Sequence, residues 1–234
     1  MTRAVFFDVD FTLIHPGPTF RGEGYEQFCA RHGIAVDPSR FDAAVAAASA
    51  VLEEARAHIY EAALFHRYTA AIITGMGGEG PRVDACAREI YEEWAGSHHF
   101  ELYDDVPGTL KEIAGRGIRI GLISNSHRCL ASFGRHFELD DFISAAVSSS
   151  EHGYMKPHPS IFEAALRLLD VRAEEAVMVG DSFTHDIAGA VQVGMRGVLV
   201  RRSAGSGPGR VTSAAAVAPE VPVIRSLTEL PVLL

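Results

Sequence analysis

The stretch Ala4-Val5-Phe6-Phe7-Asp8-Val9-Asp10-Phe11-Thr12 sets a short apolar run against two carboxylates two residues apart. Ala4 to Phe7 is aromatic and holds a β-branched valine, which reads as a strand buried on both faces. The run stops abruptly at acid, so Asp8 and Asp10 stand where such a strand leaves the carboxyl edge of its sheet. Asp and Thr are also ordinary turn and helix-capping residues, and the stretch alone reads equally as a plain strand exit. The rest of the chain decides between the two.

Three further apolar runs resemble the first: Ile118 to Ile123, Ala176 to Val179 and Gly197 to Val200, with a weaker one at Phe142 to Val147. Between them lie stretches with helical spacing, such as Pro159 to Leu169, where Ile161, Phe162, Ala165, Leu166 and Leu169 fall on one face. Gly115 and Gly117 close one helix ahead of a strand, and Asp186 to Val193 reads as the helix after another. Such short connections predict βαβ units in a parallel sheet, an α/β fold. One block breaks the alternation. From Asp42 to Trp94 the chain is dominated by Ala, Glu, Arg and Leu, as in DAAVAAASAVLEEARAHIYEAALFHRY, with a Gly-rich break at Gly75 to Gly80 and no convincing strand. It reads as helices forming an insert over residues 16–103, with 1–15 and 104–234 as the core domain. A helical packing arm is the other description of that block.

Composition narrows the function classes. A chain of 234 residues with 47% hydrophobic residues can bury a large core, and a formal charge of -9 argues against a nucleic-acid partner, which needs a basic face. Cys29, Cys86 and Cys129 are odd in number and in no C-x-x-C pair, so neither a disulfide framework nor a zinc knuckle is suggested. No stretch is long enough to span a membrane, and the chain enters its first strand with no signal-like hydrophobic segment. The expectation is a cytoplasmic protein with no membrane partner.

The strand ends share a character. The first ends in Asp8 and Asp10, the Ile118 strand in Ser124-Asn125-Ser126, and the Ala176 strand in Gly180-Asp181, with Asp186 close behind. In a parallel sheet these ends lie on one edge, where ligands of open α/β sheets bind. Lys156, in GYMKPHPSIF, can bring a positive charge to the same edge. Four acids beside one lysine repel strongly unless a hard cation neutralises them, and Mg²⁺ takes oxygen ligands of this kind.

These residues resemble the four motifs of the haloacid dehalogenase-like hydrolase superfamily, present in order: Asp8-x-Asp10-x-Thr12, Ser124 in LISNS, Lys156 in KPHPSIF, and GDSFTHD with Asp181 and Asp186. Four motifs in order on the expected elements are far more specific than any one of them. The resemblance implies a Rossmann-like core with an inserted helical cap of the C1 type. It further implies a phosphatase in which Asp8 is the nucleophile, Asp10 the acid and base, and Ser124 and Lys156 complete the catalytic set. Thr12, Ser124, the Asn125 backbone N–H and Lys156 would serve the substrate side, Thr12 by bracing the loop that carries Asp10. Asp8, the Asp10 carbonyl and Asp181 would hold Mg²⁺, with Asp186 acting through water.

The implied activity is Mg²⁺-dependent hydrolysis of a small phosphorylated metabolite through an aspartyl-phosphate. The alternatives are a phosphomutase or dehalogenase of the same superfamily, or a non-catalytic binding protein on the same scaffold. Two positions depart from the usual pattern. Phe11 stands where glycine is common, and His158 stands where an aspartate often follows the lysine, as a residue that starts the next helix.

Overall fold

The computed structural model describes residues 1–53, 58–202 and 221–234. Among them run the strands β1 (Ala4–Phe7), β2 (Ile14–Pro16), β3 (Phe100–Leu102), β4 (Arg119–Ser124), β5 (Ile143–Ser148), β6 (Ala176–Gly180), β7 (Arg196–Val200) and β8 (Val223–Ile224). Six of them form a sheet in the order β5-β4-β1-β6-β7-β8, every pair parallel, while β2 and β3 pair separately. All four residues of β1 are fully buried, as a central strand of a two-sided sheet requires. Phe7 lies in register with Leu122 on β4 and Val179 on β6. The chain therefore leaves three adjacent strands at one edge, and Asp8, Ser124 and Asp181 fall there together.

The helices are α1 (Gly22–Arg31), α2 (Phe41–Glu53), α3 (Ala62–Gly75) and α4 (Val83–Glu93), then α5 (Val106–Gly115), α6 (Leu130–His136), α7 (Ser149–His152), α8 (Pro159–Leu168) and α9 (Gly189–Gln192). The apolar face of α8 read from the sequence is the one buried: Ile161, Phe162 and Ala165 pack with Phe6, Ile123 and Met178 of the sheet. Each large side chain so buried contributes about 1.5–3 kcal/mol relative to exposure.

Two compact units divide the chain: Met1–His15 with the described residues from Leu102 on, and Pro16–Glu101. The first holds the six-stranded sheet. In the second, α3 packs on both α2 and α4, and α1 packs on α4. Its apolar centre includes Phe20, whose ring lies 4.6 Å from Trp94 and 5.4 Å from Phe100 between centroids. The helical reading of residues 54–57 lies outside the described residues.

The structure differs from the sequence reading in the short paired strands β2 and β3, which the sequence did not reveal, and in two further places. After β6 the expected helix from Asp186 opens instead as a wide turn, Phe183–Ala188, before α9. The Ile187 N–H reaches the Ser182 carbonyl five residues back, the π-type pattern. The same turn lets the Ser182 N–H donate to Asp186 Oδ2 at 2.9 Å, so Asp186 bends inward. At the far sheet edge, β8 is two residues long, too short to show a period of its own.

Candidate active site

Asp8 is the first residue past β1, and its N–H still donates to the Val179 carbonyl of β6 at 2.9 Å, so the sheet ladder itself fixes the carboxylate. The side chain is buried. Its Oδ1 accepts from Lys156 Nζ at 2.6 Å and its Oδ2 from the Thr12 hydroxyl at 2.9 Å. Lys156, 2% exposed, donates a second bond to Asp186 Oδ1, also at 2.6 Å. One ammonium thus bridges two buried carboxylates whose residues are 178 apart in number.

Local backbone choices make this possible. Gly180 ends β6 without a side chain, and a Cβ there would lie 2.2 Å from Asp186 Oδ2, so only glycine admits the carboxylate. Asn125 holds the lysine loop: its Nδ2 donates to the Lys156 carbonyl at 3.0 Å, and its Oδ1 accepts from the Lys156 N–H at 2.7 Å. Ser124 is fully buried at the end of β4 and donates to Ser126 Oγ at 2.9 Å. Phe11 takes φ +65°, and its N–H closes the loop onto the Ile14 carbonyl at 2.7 Å. This left-handed conformation is the physical reason glycine is common there, and a phenylalanine bears about 1–2 kcal/mol of strain for adopting it. His158 caps α8, its Nδ1 accepting from the Ser160 N–H at 3.3 Å.

Asp8, Asp181 and Asp186 each offer a carboxylate oxygen within 4.8 Å of the others. Burial pushes the Asp8 carboxyl up to about 7, against the pull of Lys156 and with the Asp186 charge adding to the rise. Burial alone would lower Lys156, but the charges of Asp186 and Asp8 outweigh it and hold the ammonium above its ordinary value. Three carboxylates against one ammonium leave an excess of negative charge in a buried place. An all-oxygen donor set of this charge fits a hard divalent cation such as Mg²⁺.

Asp10 stands apart from that cluster. Its Oδ1 accepts from Arg128 Nη1 at 3.0 Å, and the arginine side chain is 1% exposed. Sequence reasoning missed Arg128, the Asn125 side-chain brace and the Ser182 N–H. A partly informative signal was present: Arg128 follows Ser124 by four residues, just ahead of α6, on the edge where the motif residues gather.

Comparison with known proteins bears on the family and the fold. Residues 2–194 match the family model described as haloacid dehalogenase-like hydrolase. Pyrophosphatase PpaX of Bacillus cereus is 35% identical over 114 residues, 47% of this chain and 52% of the relative, so the chain spans about half the length of the curated relatives it matches. The 2-haloacid dehalogenase of Pseudomonas syringae pv. Tomato is 25% identical with TM-score 0.63, covering 100% of this chain and 98% of that one. A structure of YfnB from Bacillus subtilis bound to magnesium has TM-score 0.74 at 18% identity, covering 99% and 98% of the two chains, a likeness of fold alone.

Proposed function

The chain belongs to the haloacid dehalogenase-like hydrolase family, and from that premise we propose that it is a Mg²⁺-dependent phosphomonoester hydrolase working through an aspartyl-phosphate on Asp8. The observation that carries this reading is the buried bridge of Lys156 between Asp8 and Asp186, with Asp181 beside it and Asp10 two residues from the nucleophile.

Asp8, Asp181 and the Asp10 carbonyl would hold the cation, with Asp186 engaged through water. When bound, Mg²⁺ supplies the positive charge that lets a phosphate approach three carboxylates. Asp8 attacks phosphorus, the bond from phosphorus to the leaving oxygen breaks, and Asp10 donates its proton to that oxygen. Asp10, now a carboxylate, takes a proton from water as the water attacks the phosphorus, and the bond to Asp8 breaks to release phosphate. Lys156 orients Asp8 and favours its ionised form against the effect of burial, while Thr12 fixes its other oxygen. Ser124, with its hydroxyl turned from Ser126, and the Asn125 backbone N–H hold phosphoryl oxygens. Pro16–Glu101 serves as the cap that selects among small phosphorylated metabolites in the cytoplasm.

The likeness to a pyrophosphatase makes phosphoric anhydrides a further substrate class to test, and the likeness to a dehalogenase makes 2-haloacids the competing one. Dehalogenation expels halide, which needs no proton, so it gives no role to Asp10. The test is release of phosphate from aryl and alkyl phosphates and from pyrophosphate, and of halide from 2-haloacids, with Mg²⁺ and with chelator. Phosphate release that disappears in chelator is the expected result. Halide release without phosphate release would overturn the proposal in favour of dehalogenation.

A further inference from the structure

We propose that the Pro16–Glu101 unit carries a site for a divalent transition metal, Zn²⁺ or an ion of similar preference, built from Glu93, His98 and His99. Glu93 is the last residue of α4, and the two histidines sit on the single turn Ser97–His99 that leads into β3. His99 Nε2 and Glu93 Oε2 are 2.8 Å apart, and the His98 ring lies 3.9 Å from the His99 ring between centroids. One ligand atom from each of the three falls within 4.8 Å of the others. A tetrahedral zinc with ordinary bond lengths needs neighbouring ligand atoms about 3.4 Å apart, within reach of small side-chain rotations.

The surroundings hold His99 in place. His99 is fixed by its ring edge against Phe20, centroids 5.3 Å apart, and by its carbonyl, which accepts from the Gly17 N–H at 2.8 Å. His98 lies over Gly96, where an added Cβ would come within 2.9 Å of His98 Cε1 and 3.2 Å of its Nδ1. The His98 ring thus lies close against the Gly96 backbone, beside His99. The hydrogen bond between His99 and Glu93 and the closeness of the two histidine rings gather the three donors on one side of the turn.

The donor atoms choose the ion. Two imidazoles and one carboxylate suit zinc, copper or nickel and are poor ligands for Mg²⁺, whereas the Asp8, Asp181 and Asp186 oxygens suit Mg²⁺. The two clusters in this chain thus select different cations. Three protein ligands leave a fourth position to water, and the bound ion ties the end of α4 to the turn before β3.

The test uses the full chain, stripped with chelator and returned to excess Mg²⁺ so that the carboxylate cluster is occupied. Zinc is then titrated in competition with a chromophoric chelator. One equivalent of zinc bound is expected, with affinity lowered by about tenfold or more in His98→Ala, His99→Ala and Glu93→Gln. Cobalt in place of zinc should give the visible absorption of a tetrahedral site, lost in the histidine variants. Mg²⁺-dependent aryl phosphate hydrolysis should stay at the wild-type rate in His98→Ala and Glu93→Gln. If His99→Ala disturbs the packing on Phe20, those two surface variants still decide the matter. No zinc uptake by Mg²⁺-saturated wild type, or equal affinity in wild type, His98→Ala and Glu93→Gln, overturns the site. Binding is read directly, so the result stands whether or not the chain proves to be a phosphatase.

Discussion

The buried guanidinium of Arg128 donates to Asp10 Oδ1 at 3.0 Å, from a side chain 1% exposed to a carboxylate 18% exposed. Breaking a buried ion pair by removing one partner costs about 3–5 kcal/mol, and the access of water to Asp10 places Arg128→Ala at about 2–3 kcal/mol. In a chain of this size that lowers Tm by roughly 5–10 °C. The pair also aims the Asp10 carboxylate, so kcat should fall more than KM rises, with partial recovery in Arg128→Lys. A double-mutant cycle with Asp10→Asn should show strong coupling. Additive effects and an unchanged Tm would mean that the pair neither stabilises the fold nor orients the acid.

Asp8→Asn keeps the shape of the side chain and can still accept from Lys156, but an amide does not attack phosphorus. Turnover should be lost while the far-UV and near-UV circular dichroism match wild type. Hydrolysis at the wild-type rate in that variant would remove Asp8 from the nucleophile's role.

Cation binding should be linked to protons. With its carboxyl pushed up to about 7 by burial, Asp8 holds a proton below that pH in the metal-free protein, and a cation ligand must be ionised. The apparent Mg²⁺ affinity should therefore rise with pH up to about 7 and level off above it. Between the ordinary value of 3.8 and about 7 the folded state binds more protons than the unfolded state, so metal-free stability should fall as pH rises through that window. Saturating Mg²⁺ should flatten the decline. Calorimetry in buffers of different ionisation enthalpy counts the protons released; an affinity independent of pH across the window would contradict the raised carboxyl.

Much of this arrangement is legible in the sequence because buried parallel strands write themselves as apolar runs, and acids placed directly after them share an edge by topology. Asp8, Lys156, Asp181 and Asp186 converge for that reason. What stayed hidden depends on partners far away in the chain. Arg128 and Asp10 are separated by 118 residues, and nothing local distinguishes a buried arginine from a solvated one. The sequence reading used only the backbone N–H of Asn125, whereas the commitment of its side-chain amide to the Lys156 backbone on both sides depends on a partner 31 residues away. The wide turn at Phe183–Ala188 has the apolar spacing of an ordinary helix, and the bonds from Lys156 and Ser182 to Asp186 that accompany it come from outside that spacing. At Phe11 the sequence shows the departure from glycine, but only the φ of +65° explains why glycine is usual.

The last prediction separates the two carboxylates of the opening stretch. An aryl phosphate has a leaving group that departs readily as an anion, so the first step should depend only modestly on Asp10. An alkyl leaving group must be protonated as it departs, and a positioned general acid typically contributes about 10²–10⁴-fold. Asp10→Ala should thus lose roughly 10²-fold more rate on alkyl than on aryl phosphates. The same residue is needed as the base for the second step, so with an aryl substrate the aspartyl-phosphate should accumulate. Rapid-quench mass spectrometry should find an added phosphoryl group on Asp8, with a burst of aryl alcohol ahead of steady turnover. Arg128→Ala provides the control, since it leaves the Asp10 carboxyl present but removes the donor that aims it. It should show the same preference for aryl substrates in weaker form. Equal losses on both substrate types, with no burst and no phosphoenzyme, would make Asp10 a residue that shapes the loop rather than one that moves the proton.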